Sequence, residues 1–132
     1  MAMKFLLDTN VIVEILRGNY EVQQRTYGIG LQNCCISSLT MAELYAGAYK
    51  SGKPAAFDQL KVIEEMFPIL PFKDSYRTFG RLRKETDGIG RHIDDIDLLI
   101  ASIALDNDLV LATHNLKHFA DISGLELADF VF

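Results

Sequence analysis

The sequence has few of the features that mark secreted, membrane-spanning or strongly basic proteins. Its two cysteines, Cys34 and Cys35, are adjacent, and adjacent cysteines seldom form a structural disulfide, so we expect a reducing, cytoplasmic setting. Every apolar run is far shorter than the roughly 20 residues of a transmembrane helix. The short N-terminal run ends at Asp8, which is not typical of a secretory signal. The formal net charge of −5 argues against a protein that simply coats phosphates.

The remaining pattern predicts one folded α/β domain. A chain of 132 residues with 49% hydrophobic residues fits a single domain, and it contains no repeat or linker that would divide it. Short apolar segments predict strands at 4–7, 34–37, 69–71 and 109–112, with a weaker candidate at 125–127. Helical segments lie between them, so we expect a central, mostly parallel sheet of four or five strands with helices on both faces.

Capping residues and glycines predict where the helices begin and end. Thr9 or Asn10 is the candidate N-cap of the helix after the first strand, and Ser38 is the candidate for the helix after the second. A short polar helix is expected at 20–27, stopped by Gly28 and Gly30.

Acidic and amide side chains occur at element ends that a parallel sheet brings to one edge. Asp8 ends the first strand, Glu43 lies one turn inside the helix after the second, and Asn115 follows the fourth. Asp94 or Asp95 opens a buried helix, Asp97 is its third or fourth residue, and Asp94 lies one helical turn before Asp97. Clustered carboxylates repel one another unless a cation lies between them, and oxygen-only ligands favour Mg²⁺ or Mn²⁺. Such ions activate water for displacement at phosphorus.

Each acid also has a purely structural interpretation. Asp8 is equally suited to capping a helix, and Asp94 or Asp95 is better explained as a cap or a first-turn charge. Asp97 is different, because it precedes an almost wholly apolar segment, where an unpaired acid is costly. Glu43, in a largely apolar helix, supports a weaker form of the same argument. The joint placement of these residues therefore favours a functional site.

Four blocks of sequence carry a resemblance to a known family. They are LLDTNVIVEIL at 6–16, ISSLTMAELYAG at 36–47, IDDIDLLIASIAL at 93–105 and LATHNLKHFADISGLEL at 111–127. The chain resembles the PIN-domain ribonucleases, and within them the VapC-type toxins of prokaryotic toxin–antitoxin pairs. The resemblance covers essentially the whole chain and implies a single PIN-like domain over 1–132, with a three-layer α/β/α fold.

This resemblance implies an endoribonuclease that depends on Mg²⁺ or Mn²⁺, with a metal-activated water that attacks the RNA phosphodiester. The catalytic and metal-binding acids of the family correspond to Asp8, Glu43 and Asp97. The fourth metal position, often an Asp, is Asn115 here, whose amide adds no charge and cannot act as a base. Asp94 is a reserve carboxylate for the same metal site.

The resemblance also implies partners and supporting hydroxyls. It predicts a homodimer and a small antitoxin that covers or enters the acidic site, in a complex that binds operator DNA through the antitoxin. It does not imply a membrane partner. Thr9, Thr113 and either Ser38 or Thr40 would hold the acids or the phosphate, although helix capping explains the hydroxyls equally well.

The distribution of charge reconciles an acidic protein with an RNA substrate. Residues 73–92 contain six basic and three acidic side chains, a net +3, which leaves −8 on the rest of the chain. Arg77, Arg81 and Lys84 recur at i, i+4 and i+7, so they share a helix face that is either a phosphate track or simply solvated. The scattered histidines predict surface or supporting roles: His92, His114 and His118.

Two other α/β classes also place an acid after the first strand. A receiver-like signalling or binding module needs an acidic pair before its phosphorylated Asp and a Lys after the last strand, and no Lys follows Leu111-Ala112 directly. A phosphatase of the haloacid-dehalogenase type needs a second Asp two residues after the first, where this chain has Asn10. The ribonuclease is therefore the favoured hypothesis, and the receiver-like module is the alternative.

Overall fold

A parallel sheet of five strands forms the centre of the fold. The computed structural model describes residues 4–130, so the ends of the predicted 1–132 domain, at 1–3 and 131–132, lie outside the described residues. The sheet order is β3-β2-β1-β4-β5, and every pairing is parallel. The strands are β1 (Phe5–Leu7), β2 (Cys34–Ser37), β3 (Ile69–Leu70), β4 (Val110–Ala112) and β5 (Leu127–Ala128).

Helices connect the strands and cover both faces of the sheet. No helix between residues 4 and 130 has the length and hydropathy that crossing a membrane requires. The helices are α1 (Thr9–Leu16), α2 (Tyr20–Ile29), α3 (Ser38–Ser51), α4 (Pro54–Met66), α5 (Tyr76–Gly88), α6 (Asp95–Asp106) and α7 (Leu116–Phe119), with a short 3₁₀ turn at Leu31–Asn33.

Alternation along the strands divides the core into two layers. Leu6 packs with the apolar residues of α5, α6 and α7 on one face, whereas Leu7 packs with those of α1 to α4 on the other. Both leucines are fully buried. The three-layer α/β/α architecture predicted from the sequence is therefore confirmed.

The same alternation separates the two cysteines. Cys34 belongs to the core layer under α1 to α4, and Cys35 to the layer under α5 and α6, so neighbouring thiols face opposite sides of the sheet. Both cysteines are free and fully buried. Burial raises the pKa of Cys34 to about 11 and that of Cys35 to about 12, so both thiols are protonated at neutral pH.

The helix caps differ from the sequence prediction by one residue at two places. The N-cap of α1 is Asp8, as the structural interpretation of this acid predicted, and not Thr9 or Asn10, and its carboxylate accepts the backbone N–H of Thr9. The N-cap of α3 is Ser37, whose hydroxyl accepts the N–H of Thr40, so Ser38 is already helical. In both cases the helix begins directly where the strand ends, because the cap residue keeps an extended backbone conformation.

Two element boundaries also differ from the prediction. Helix α2 continues through Gly28 to Ile29, and Gly30, the second glycine predicted to stop it, is its C-cap, with the positive φ of 100° that a turn away from the helix requires. The fifth strand is Leu127–Ala128 and not 125–127, because it pairs with the end of β4. Helix α7 was not predicted at all, since four residues are too few for a periodic pattern.

Candidate functional site

A cleft of about 320 Å³ opens at the carboxyl edge of the sheet, beside the end of β1. Four of the five predicted metal-binding residues line it, whereas the fifth, Asp94, lies outside the lining. Three different chain segments supply the carboxylates, as a parallel sheet allows. The residues that line the cleft are Asp8, Thr9, Asn10, Val13, Glu14, Arg17, Glu43, Asp97 and Asn115.

Asp8 is both the cap of α1 and a wall of the cleft, so the structural and functional interpretations are compatible. Its side chain is buried, with the residue 3% exposed. One oxygen accepts the N–H of Thr9 at 2.8 Å, and the other accepts the Thr113 hydroxyl at 2.8 Å and the Asn10 amide at 3.2 Å. Burial raises the pKa of Asp8; the hydrogen bonds oppose this effect, and the nearby Asp97 and Glu43 carboxylates add to it.

Thr113 joins the loop after β4 to the start of α1. Its fully buried hydroxyl donates to Asp8 and accepts from the Asn10 side-chain amide at 3.2 Å and from the Asn115 N–H at 3.1 Å. The Asn10 carbonyl oxygen in turn accepts the His114 N–H at 3.1 Å. This network fixes both Asp8 and Asn115, and Asn10 has a larger part in it than the capping role predicted from sequence.

We expect Thr113→Val to lower the free energy of unfolding by about 1–3 kcal/mol, because the buried Asp8 carboxylate loses its hydroxyl donor. Valine keeps the shape of threonine, so the change isolates the hydroxyl. Chemical denaturation measures the difference. Thr113→Ser retains the hydroxyl and is the matched control, expected to lose less. Equal stability of the Val variant and wild type would show that the hydroxyl contributes nothing.

A chain of hydroxyls orients Glu43. The Thr9 hydroxyl donates to the Glu43 carboxylate at 2.7 Å and lies 3.0 Å from the Thr40 hydroxyl. Ser37 continues the chain, with its hydroxyl 3.3 Å from that of Thr40. Because each hydroxyl has one proton, the donation runs from Ser37 to Thr40, then to Thr9, then to Glu43. Of the two alternatives, Thr40 therefore supports the acid and Ser38 has no place in this chain.

The burial of Glu43 predicted from its largely apolar helix is wrong. Glu43 is exposed on α3, so its charge does not carry the cost that an apolar helix suggested. Helix α3 buries a different set of positions, including Thr40, Met41 and Ala48. The exposed position leaves Glu43 at the mouth of the cleft, where a ligand reaches it from solvent.

Asp97 lies in the first turn of α6, with its side chain 24% exposed. The His118 ring nitrogen Nδ1 lies 3.3 Å from its carboxylate. Burial raises the pKa of Asp97; His118 lowers it, and the charges of Asp94 and Glu43 raise it further. Asp94 therefore acts on Asp97 through its charge. The sequence predicts only a surface or supporting role for His118 and does not connect it to Asp97.

The donor set has the chemistry that a hard divalent cation requires. Asp8, Glu43 and Asp97 provide carboxylate oxygens, and Asn115 adds a neutral amide oxygen. Burial in the first place, and then the charges of Asp97 and Glu43, raise the pKa of Asp8. Within residues 4–130, no three His, Cys, Asp or Glu side chains lie close enough together to coordinate one metal ion in the positions shown. The cleft is thus lined by side chains of the right chemistry, although these side chains would have to move closer together to coordinate a single ion.

The predicted phosphate track does not belong to this cleft. The three side chains Arg77, Arg81 and Lys84 are exposed on α5, and none of them lines the cleft. Arg81 pairs with Glu85 of the same helix at 3.1 Å. The cation that does line the cleft is Arg17, which is not among the site residues predicted from the sequence. Its spacing of seven residues from Asn10 is the signal that places both on one helix face.

Comparison with known proteins gives consistent matches over nearly the full length. The PIN domain family matches residues 5–125. The Haemophilus influenzae protein named Ribonuclease VapC2 is 31% identical over 134 residues, covering 98% of this chain and 99% of the relative. The tRNA(fMet)-specific endonuclease VapC of Salmonella typhimurium is 32% identical over 133 residues, covering 97% and 98%. The crystal structure of VapBC2 from Rickettsia felis, bound to a promoter DNA fragment, matches with a TM-score of 0.88 at 30% identity, covering 98% of both chains.

Proposed function

The chain belongs to the PIN-domain family, and from this premise we propose that it is a VapC-type endoribonuclease toxin that requires Mg²⁺ or Mn²⁺. The observation that carries the proposal is the cleft that joins Asp8, Glu43 and Asp97 from three separate segments. The names of the relatives, which are ribonucleases and endonucleases, support RNA as the substrate class.

In the proposed mechanism, Asp8, Glu43 and Asp97 hold the divalent cation, with the Asn115 carbonyl oxygen as a neutral fourth donor. When bound, such an ion activates water and offsets the charge that develops on the phosphate during displacement. Because Asn115 adds no charge and accepts no proton, the three carboxylates supply all the negative charge of the donor set.

The residues around the acids orient them. Thr113 and Asn10 hold Asp8, Thr9 holds Glu43, and His118 contacts Asp97. Groups of this kind fix carboxylate ligands in a defined orientation, and their loss weakens metal sites in general. An acid that is already oriented loses less conformational freedom when the cation and the RNA bind.

We further propose that a small cognate antitoxin occupies or covers the acidic cleft, and that the toxin forms a homodimer in a complex that binds operator DNA through the antitoxin. The support is that a solved relative is a VapBC assembly on promoter DNA. The acidic, open cleft suits a partner that presents cationic side chains to it.

No specific observation favours the receiver-like alternative. The nine described residues that line the cleft include no lysine, which that class needs beside its phospho-acceptor. Asp8, the acid that would be phosphorylated, is 3% exposed and accepts hydrogen bonds at both oxygens.

We expect the purified chain to cut single-stranded RNA when Mg²⁺ or Mn²⁺ is added, to lose the activity on chelation and to regain it when the ion is restored. The readout is gel analysis of a labelled RNA, with circular dichroism to show that chelation leaves the chain folded. Asp8→Ala is the inactive control, and it should also abolish toxicity on expression. Cleavage that persists in Asp8→Ala or in excess chelator would contradict the proposal.

A further inference from the structure

One face of α1 forms a wall of the cleft. Asn10, Val13, Glu14 and Arg17 all line it, and their spacing of i, i+3, i+4 and i+7 places them on a single helix face. The wall begins beside Asp8, the N-cap, and ends at Arg17, the C-cap. Among the nine described lining residues, Arg17 is the one with a cationic side chain.

Arg17 leans back along α1 toward the acids. Side chains on a helix tilt toward its N-terminus, and Nη1 of Arg17 lies 3.6 Å from the Glu14 carboxylate one turn earlier. The nine residue-to-residue steps from Asp8 to Arg17 span about 13.5 Å of helix axis at about 1.5 Å per step. A strand with one phosphate beside Asp8 that continues along α1 therefore brings a following phosphate to the guanidinium.

The Arg17 guanidinium remains available for a ligand. Its side chain is 72% exposed, and its 3.6 Å contact with Glu14 is longer than a hydrogen bond. Glu14 has a second partner, because its other oxygen accepts the Asn19 side-chain amide at 3.1 Å. An exposed i, i+3 pair contributes little to stability, so exchanging it for a phosphate costs little.

We infer that Arg17 binds a backbone phosphate further along the RNA strand from the phosphate that is cut, and so holds the strand along α1. The inference rests on the proposed ribonuclease function. An arginine suits this task because its planar guanidinium donates two hydrogen bonds to one phosphate. Its position at the far end of the wall gives it a role in substrate binding, separate from the carboxylates at the other end.

The test compares Arg17→Gln, Arg17→Lys and Lys61→Gln, the last of which removes one exposed charge from α4 as a matched control. Each is made in an Asp97→Asn background and titrated with a fluorescent single-stranded RNA of mixed sequence at several salt concentrations. We expect Arg17→Gln to weaken binding about 10-fold. It should also reduce the slope of log affinity against log salt by about 0.7, the value for one lost phosphate contact. Arg17→Lys should keep the slope, and Lys61→Gln should match its parent.

The same substitutions in the active chain separate binding from chemistry. We expect Arg17→Gln to raise KM and to leave kcat nearly unchanged, with an unaltered melting temperature because Arg17 is exposed. The inference is overturned if the unsubstituted chain cuts RNA but Arg17→Gln, in the Asp97→Asn background, binds with the affinity and salt slope of Asp97→Asn alone. It is also overturned if Lys61→Gln weakens binding as much as Arg17→Gln does. If the unsubstituted chain does not cut RNA with either metal, the proposed function itself fails.

Discussion

The Asp97→Asn protein should lose at least about 100-fold in kcat for RNA cleavage and still melt at or above the temperature of the unsubstituted chain. The loss of activity follows because an amide removes one of three carboxylate charges from the proposed metal site. The retained stability follows because Asp97 is a half-buried acid that lies near Asp94 and Glu43, whose charges repel it. Cleavage assays and thermal melting measure the two effects separately.

The stabilisation expected from Asp97→Asn depends on pH. Burial, with Asp94 and Glu43, raises the pKa of Asp97 in the folded chain, although His118 opposes this. An acid with a raised folded pKa stabilises the fold below its unfolded pKa, and this contribution disappears as pH rises through the folded value. The advantage of Asp97→Asn should therefore be present at neutral pH in chelator and absent in acid, where the Asp97 carboxyl is protonated in both states.

Asp58→Asn is the matched control for this prediction. It makes the same chemical change at an exposed position of α4, remote from the cleft lining. We expect it to retain the cleavage rate and the melting profile of the unsubstituted chain. An Asp97→Asn protein that cuts RNA at the unsubstituted rate would remove Asp97 from the catalytic set. A large drop in its melting temperature would show that the charge stabilises the fold.

The overall architecture follows from short-range patterns. Runs such as 34–37 and 109–112 are apolar and bounded by polar residues, so they predict buried strands without knowledge of their neighbours. Parallel pairing then places whatever follows each strand at one edge, which is why Asp8 and Asn115 were both expected in the cleft. Asp97 was predictable for a related reason, since it lies in the first turn of a buried helix next to that edge.

The supporting contacts of the site could not be read from local pattern. The contact between His118 and Asp97 joins residues 21 positions apart and depends on how α7 packs. The exposure of Glu43 depends on the rotation of α3 about its axis, which a largely apolar helix does not specify. In each case the deciding information is the placement of two elements relative to each other.

The net charge of a segment also does not distinguish the arginines of α5, which have different roles. The count over 73–92 treats Arg81 and Arg83 alike, although Arg81 is exposed and Arg83 is 21% exposed. Only position on the helix distinguishes them, because successive residues point in different directions. Arg83 faces α6, the helix that contains Asp97. The contribution of the Arg83 contacts to the free energy of unfolding can be measured.

Arg83 holds the start of α6 in place. Its Nη2 donates to the Ile93 carbonyl at 2.9 Å and to the Asp95 carboxylate at 2.6 Å, and its guanidinium lies over the Phe79 ring at 5.6 Å. Nη1 is buried and lies 3.5 Å from the Asp87 carboxylate. These contacts join α5 to the residues just before Asp97.

We expect Arg83→Met to lower the free energy of unfolding by about 2–3 kcal/mol, because methionine keeps the aliphatic packing but loses the donors to Ile93 and Asp95. Cleavage should fall as well, since a small displacement of α6 moves Asp97 away from the other acids. Arg81→Met is the matched control: it breaks only the exposed pair with Glu85 and should cost less than about 1 kcal/mol in urea denaturation. Equal losses of unfolding free energy in the two variants would mean that the contacts of Arg83 with Ile93 and Asp95 contribute no more than a surface ion pair. The position of Asp97 would then be fixed by the apolar packing of α6 alone.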